Sequence, residues 1–380
     1  MVNIELVDVK NKKQVNRFIQ FHYDLYQGTP QWVPPIRDDV RTMLNPEKHP
    51  FYEHSVAEFY IASRDGKDVG RICVMENCLF NKAQNKRDAE FYLFDCIDDV
   101  EVARALFDQA IEWARKRGLN RLVGPKGFSA FDGYGIQTEG YEHRQMMTMM
   151  NYNFPYYVRL VEDLGFEKEV DFVSCYLGKN AFHLPERVVE LAEKVIERGT
   201  FKIVNFTTKN ELKARAQEIG EAYNKAFINN WEYYPFTRRE IKYIVDTLIT
   251  VADPRLIKII THGPEDQIVG FLLGFPDFSA ALQRSHGNVA LTNPVAIVDL
   301  LLEMKRTRWI SFNGAGVLPE FHGRGGNALL YYVMEKTVQQ YHFEHAELTQ
   351  VAETTQQMRA DLVNLGGQPY KNHRVYRKQI

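Results

Sequence analysis

The residues with the most evident chemical potential lie between Trp309 and Glu335. Trp309-Ile-Ser-Phe-Asn-Gly-Ala-Gly-Val317 is followed by Leu318-Pro319, then by Gly323, Gly325 and Gly326 within four positions. Leu329, Leu330, Val333, Met334 and Val338 then recur at helical spacing. The pattern predicts a strand ended by a proline that cannot donate to a ladder, a loop able to adopt φ > 0, and a helix. A glycine loop opening a helix aims several free N–H groups at one point, where the helix dipole also favours negative charge, so the chemistry on offer is a pyrophosphate seat. A plain glycine turn is the bland alternative. A dinucleotide fingerprint is another, since Gly323-x-Gly325-x-x-Ala328 fits its loose form, with Glu344 or Glu347 at a suitable distance. Fewer than about sixty residues follow, too few for two mononucleotide halves. No Gly-Lys-Ser/Thr follows, which excludes a P-loop.

The elements that must position this loop form one order that occurs twice. In the first half the pattern predicts a strand at 4–8, a helix at 12–25, and a hairpin of 57–63 with 69–75 turning at Asp65-Gly66. A strand at 89–94, a helix at 100–117 ended by Gly118, a strand from Arg121, a helix at 155–166 and a strand at 172–177 follow. Gly178 to Pro185 reads as a junction and 187–198 as a bridging helix. The second half repeats the order: strand 201–206, helix 211–227, and helix 237–250 opened by a Thr237/Glu240 capping box. A hairpin of 256–261 with 268–275, the glycine segment, strand 345–351, helix 353–365 and a last strand at 370–378 complete it. The expected class is α/β, two tandem domains (1–180 and 181–380), each a mostly antiparallel sheet with a parallel pair in the middle.

Composition excludes several partners. The net charge of −2 gives no field for nucleic acid or an anionic membrane. No run of about eighteen apolar residues occurs, and Met-Val-Asn-Ile-Glu-Leu lacks a signal-peptide layout, so a cytoplasmic location is expected. Cys73, Cys78, Cys96 and Cys175 lack zinc spacing and read as reduced thiols, with no metal expected.

Val317-Leu-Pro-Glu-Phe-His322-Gly323-Arg324-Gly325-Gly326-Asn327-Ala328 resembles the acyl-coenzyme A loop of GNAT-type N-acetyltransferases, "V-x-P-x-x-R/Q-G-x-G-x-G/A". His322 stands where Arg or Gln is usual, and Asn327 where a small residue is usual. The resemblance implies that the N–H groups of Val317 and of Gly323 to Asn327 hold acetyl-CoA or another acyl-CoA. It also implies that the Val317 carbonyl receives the pantetheine amide, and that a splay between the strands at Val317 and Ala346–Val351 admits the acyl arm. An N–H at the splay would polarise the thioester. The family's helical Asn falls near Thr355 and its Tyr acid at Leu362, so the usual acid is missing. Tyr331, Tyr332 and Tyr370 are the substitutes. Glu353, at the end of the splayed strand, is the first candidate base and Glu320 the second. The implied activity is acetyl transfer to a primary amine, on a small molecule or a peptide, by direct attack; a catalytically silent ligand-binding protein is the alternative. A homodimer stays open.

Tyr156-x-x-x-Leu160 to Gly165-Phe166 resembles the family's late helix, so the first half shares the fold. Its crossing, Asp95-Cys-Ile-Asp-Asp99-Val-Glu101, has no glycine and four carboxylates and is expected to repel a pyrophosphate. Gly124 to Gly135 is a candidate acceptor loop. The insert from Pro276 to Arg308, helical and apolar over 298–304, is a candidate tunnel cap.

Overall fold

The computed structural model describes residues 1–146, 150–178, 183–341 and 343–380. Residues 179–182 of the expected junction lie outside them. The chain forms two compact units, residues 1–173 with 278–302 and 371–380, and residues 174–277 with 303–370. The division falls inside the strands Glu167–Gly178 and Gln368–Gln379, not at 180/181. Part of the second-half insert and the final strand belong to the first unit.

In the first unit the strands run in the order Asn3–Leu6, Val56–Arg64, Lys67–Glu76, Asp88–Cys96, Arg121–Gly124, the final strand and the strand from Glu167. Asp88–Cys96 pairs in parallel with Arg121–Gly124, while the preceding pairs are antiparallel. Asp65 and Gly66 both have positive φ, as the two-residue turn demands. Helix Val100–Lys116 buries Ala103, Leu106, Phe107, Ala110, Ile111 and Ala114, one face at helical spacing. Lys12–Leu25 likewise buries Val15, Phe18 and Ile19. The chain also forms short helices at Arg37–Met43, Cys78–Gln84 and Ser279–Ser285, which local periodicity did not reveal because each is only two turns long.

In the second unit the order is the strand segment from Ser174, His345–Ala352, Trp309–Val317, Gln267–Pro276, Ile257–His262 and Lys202–Val204. Trp309–Val317 and His345–Ala352 form the parallel pair. The helix expected over 211–227 is two pieces, Lys209–Ala214 and Ala216–Ala226, broken at Arg215. The Thr237/Glu240 capping box is present at helix Arg238–Leu248. Gly316 lets helix Ala216–Ala226 approach the sheet: a Cβ there would meet the Ala226 Cβ at 3.0 Å.

Candidate active site

The glycine segment folds as strand Trp309–Val317, a 3-10 turn Pro319–Phe321, a loop, and helix Gly326–Gln340. Gly323 and Gly325 both lie in the left-handed region, with φ of 73° and 81°. Gly325 is the helix N-cap and has no capping side chain. The first intrahelical bond runs from the Leu329 N–H to the Gly325 carbonyl at 3.1 Å, so the N–H groups of Gly326, Asn327 and Ala328 precede it. These groups, with the dipole behind them, can receive an anion. The Arg324 guanidinium lies beside the loop, 5.2 Å from the centre of the Phe321 ring.

Two of the glycines are needed for packing as well. A Cβ on Gly325 would stand 2.6 Å from Val195 Cγ2 of helix Glu186–Glu197, and one on Gly326 would stand 3.1 Å from Val317 Cγ2. A Cβ on Gly323 would meet nothing within 4 Å. His322 has its own task. Its Nε2 lies 2.8 Å from the Val317 carbonyl oxygen, tying the loop to the strand end. One lone pair of the carbonyl expected to receive pantetheine is therefore already engaged, and the second remains.

The parallel pair opens beyond this point. Trp309 to Phe312 pair with His345 to Leu348, and the ladder ends there. The register against Gln267–Pro276 slips between Leu273 and Gly274, leaving Asn313 as the extra residue of a bulge. On the other strand Gln350 has φ of 46°, and its N–H donates to Ser174 Oγ at 3.0 Å. A non-glycine residue in that region costs about 1–3 kcal/mol, and it stands two residues beyond Leu348, the last residue of the ladder.

The opening is floored by a buried polar ladder that sequence patterning missed. Trp309, Ser311 and Asn313 share one face with His345, Glu347 and Thr349. Ser311 Oγ donates to Asn313 Oδ1 at 2.9 Å and lies 3.1 Å from Thr349 Oγ1, which lies 3.5 Å from Glu347 Oε1. The Tyr370 hydroxyl donates to Glu347 Oε2. Glu347 is fully buried. Tyr176 closes the aromatic end, its hydroxyl 2.7 Å from His345 Nδ1 and its ring facing Trp309 and Tyr370. Alternating Ser311/Asn313 and Glu347/Thr349 across a parallel register was the available signal; it needed the strand pairing to be read.

The residues chosen from the sequence are dispersed. Glu353 and Thr355 lie half-buried in the turn after strand 345–352, Thr355 as a helix N-cap without a side-chain capping bond. Tyr332 sits on helix 326–340, with the Lys336 ammonium 5.0 Å from its ring centre. Tyr331 is packed against Met358, and burial pushes its hydroxyl well up in pKa. Leu362, at the usual acid position, is a buried core residue. Glu320 is exposed.

The crossing of the first unit has a different physical character from the one expected. Asp95 is a buried strand residue, held by Arg71 at 2.7 Å and His22 at 2.9 Å. Burial alone would raise its pKa, but His22 and Arg71 outweigh it and hold the carboxyl below the usual range. Asp98 pairs with Arg159. Asp99 caps helix Val100–Lys116 by accepting from the Glu101 and Val102 N–H groups, and it pairs with Arg64 at 2.7 Å. The anion position there is filled by the chain's own carboxylate, not left as a field of repelling charges. The loop 124–135 is also turned inward: Asp132 accepts from the Ser129 N–H at 2.7 Å, and burial raises its pKa to about 6.

No model of a known protein family matches the chain. It is 26% identical to Protein YghO of Escherichia coli (strain K12) over 97% of this chain and 94% of that protein. It is 25% identical to the bacterial ceramide synthase of Caulobacter vibrioides (strain NA1000 / CB15N) over 100% of this chain and 98% of that protein. In structure it is similar to the tandem GNAT protein from the clavulanic acid biosynthesis pathway, with a TM-score of 0.57 and 12% identity, covering 100% of this chain and 98% of that chain. A GCN5-related glucosamine N-acetyltransferase region of a fungal GH3 beta-N-acetylglucosaminidase gives a TM-score of 0.56 at 11% identity, covering all of this chain and 38% of that multi-domain chain. The strand splay, the glycine-capped helix and these likenesses agree: the chain has the fold of the GNAT acyltransferases, in tandem.

Proposed function

We propose that this protein is an acyl-CoA-dependent N-acyltransferase whose working site is in the second unit. The observation that carries the reading is a side-chain-free helix N-terminus at Gly325 directly after a strand that parts from its parallel neighbour. The N–H groups of Gly326 to Ala328 would hold the pyrophosphate, and the gap beyond Phe312 and Leu348 would take the thioester arm. The acceptor amine would attack the thioester carbon directly. Its nitrogen forms the new C–N bond, the C–S bond breaks, and coenzyme A leaves as the thiol. Glu347 is the base we assign to the amine proton, and Tyr370, already donating to Glu347, is the group that would return a proton to the departing sulfur. Orientation of amine and thioester supplies much of the rate without further side-chain chemistry.

The acceptor is proposed as the amino group of a long-chain amino alcohol and the donor as a long-chain acyl-CoA. The support is the likeness to a ceramide synthase along the whole chain, ceramide being an N-acylated amino alcohol. Acetyl-CoA is the competing donor. The test is release of free thiol from acetyl- and palmitoyl-CoA with sphinganine as acceptor, alongside calorimetric titration with coenzyme A. Turnover with palmitoyl-CoA supports the reading, turnover with acetyl-CoA alone restores acetyl transfer, and binding without turnover leaves a silent coenzyme-binding protein.

A further inference from the structure

The insert 276–308 carries an amphipathic helix with its apolar side outward. Helix Pro294–Arg306 buries Ala296 and Leu300. Val295, Val298, Leu301 and Leu302 are 77%, 55%, 44% and 40% exposed, and Leu291, one turn ahead, is 94% exposed. Residues 295, 298 and 302 are spaced by three and four, so they share one side of the helix, with Leu291 in the turn that precedes it. Single exposed apolar residues are ordinary, but four on one side of one helix are not. Lys305 and Arg306, both exposed, stand at the C-terminal end of the same stripe.

The stripe is held on a firm base. Arg284 binds Asp299 at 2.9 and 3.0 Å, drawing that carboxylate to the flank. Gln283 donates to the carbonyls of Pro30 and Trp32 at 2.8 Å, and the Arg37 N–H donates to the Gly287 carbonyl at 3.0 Å. The buried side of the helix and its flanking turns are thus fixed, and the outward side is apolar by composition rather than by looseness. Among the described residues no helix is long and apolar enough to cross a membrane.

We infer that the outward side of helix 294–306 docks on an anionic lipid bilayer. Val295, Val298, Leu301 and Leu302 enter the boundary between headgroups and acyl chains, and Lys305 and Arg306 meet lipid phosphates. A helix satisfies its own backbone hydrogen bonds, so it can lie in that boundary without exposing polar groups to it. Basic residues beside the stripe fit anionic headgroups. The net charge of −2 describes the whole chain and does not cancel a local basic end. This docking goes beyond the acyltransferase reading, and it is measured without substrate.

The test is flotation of the full chain with phosphatidylcholine vesicles, with and without phosphatidylglycerol. The protein should float with the anionic vesicles and less in high salt. Val295→Ser/Val298→Ser/Leu302→Ser should weaken binding by about tenfold or more while leaving the circular dichroism unchanged. Lys305→Glu/Arg306→Glu should remove the preference for anionic lipid. Emission of a Val298→Trp variant should shift to the blue on adding vesicles. A wild-type protein that does not float, or a triple variant that floats equally, overturns the inference. So does a dimer that the triple variant dissociates without any vesicle binding, which would assign the stripe to a second copy.

Discussion

Two strand-to-helix crossings in this chain solve one electrostatic problem in opposite ways. At Asp88–Cys96 followed by Val100–Lys116, the N-cap is Asp99, whose carboxylate accepts from two of the helix's free N–H groups and pairs with Arg64. At Trp309–Val317 followed by Gly326–Gln340, the N-cap is Gly325, which offers no side chain and leaves those groups to whatever anion arrives. The first end is completed internally and contributes stability; the second is left incomplete and available for binding. A helix dipole alone therefore does not mark a site. What distinguishes the two ends is whether the chain supplies its own anion.

The sharpest way to break this contrast is to give the second crossing the cap of the first. Gly325→Asp should weaken coenzyme A binding by on the order of a hundredfold, read by calorimetry. Gly325→Ala is its control, because any side chain there suffers both the positive φ and the approach of Val195. If Ala and Asp are equally damaging, the charge argument fails and packing explains the glycine.

Glu347→Gln tests the polar ladder beside the second crossing. We expect kcat to fall by about 10²–10⁴-fold with little change in KM for the acyl-CoA. An unchanged kcat would remove Glu347 as base and return Glu353 to first place. Asp99→Ala, the reciprocal change, should cost about 0.5–2 kcal/mol of stability in a denaturant melt and leave coenzyme A binding untouched.

The same carboxylate gives a pH signature. Its hydrogen bond with Arg64 holds the Asp99 pKa below the ordinary carboxylate value. Its contribution to stability is therefore complete above that ordinary value and is lost as pH falls through the lowered one. In Asp99→Asn the acid limb of the stability curve should be flatter there, and an identical limb would refute the assignment. The smallest effect is expected from His322→Gln, which keeps a donor for the Val317 carbonyl and should move the coenzyme A dissociation constant by no more than about threefold.

Much of the second crossing was legible because its signals are local. Pro319, the glycines at 323, 325 and 326, and the apolar period after Asn327 each act within a few residues. The Thr237/Glu240 box and the Asp65-Gly66 turn were readable for the same reason. The first crossing was legible only in part. Its lack of glycine was visible, but four clustered carboxylates read as repulsion, because Arg71, Arg64 and Arg159 lie far off in sequence and only folding brings them to Asp95, Asp99 and Asp98.

The candidate chemistry divides along the same line. The sequence by itself determined the order of the longer elements, the glycine-capped helix and the absence of a Tyr at position 362, since these depend on residue type and short-range spacing. Tertiary structure alone decided that Glu347, Thr349, Ser311, Asn313 and Tyr370 form one buried ladder, that His322 closes on Val317, and that Val295, Val298, Leu301 and Leu302 of helix 294–306 face outward while Leu300 is covered. The physical reason is register and packing. A strand residue's neighbours, and the side of a helix that is covered, are set by which distant segments pair and dock, and an apolar period marks a face without saying whether that face is covered.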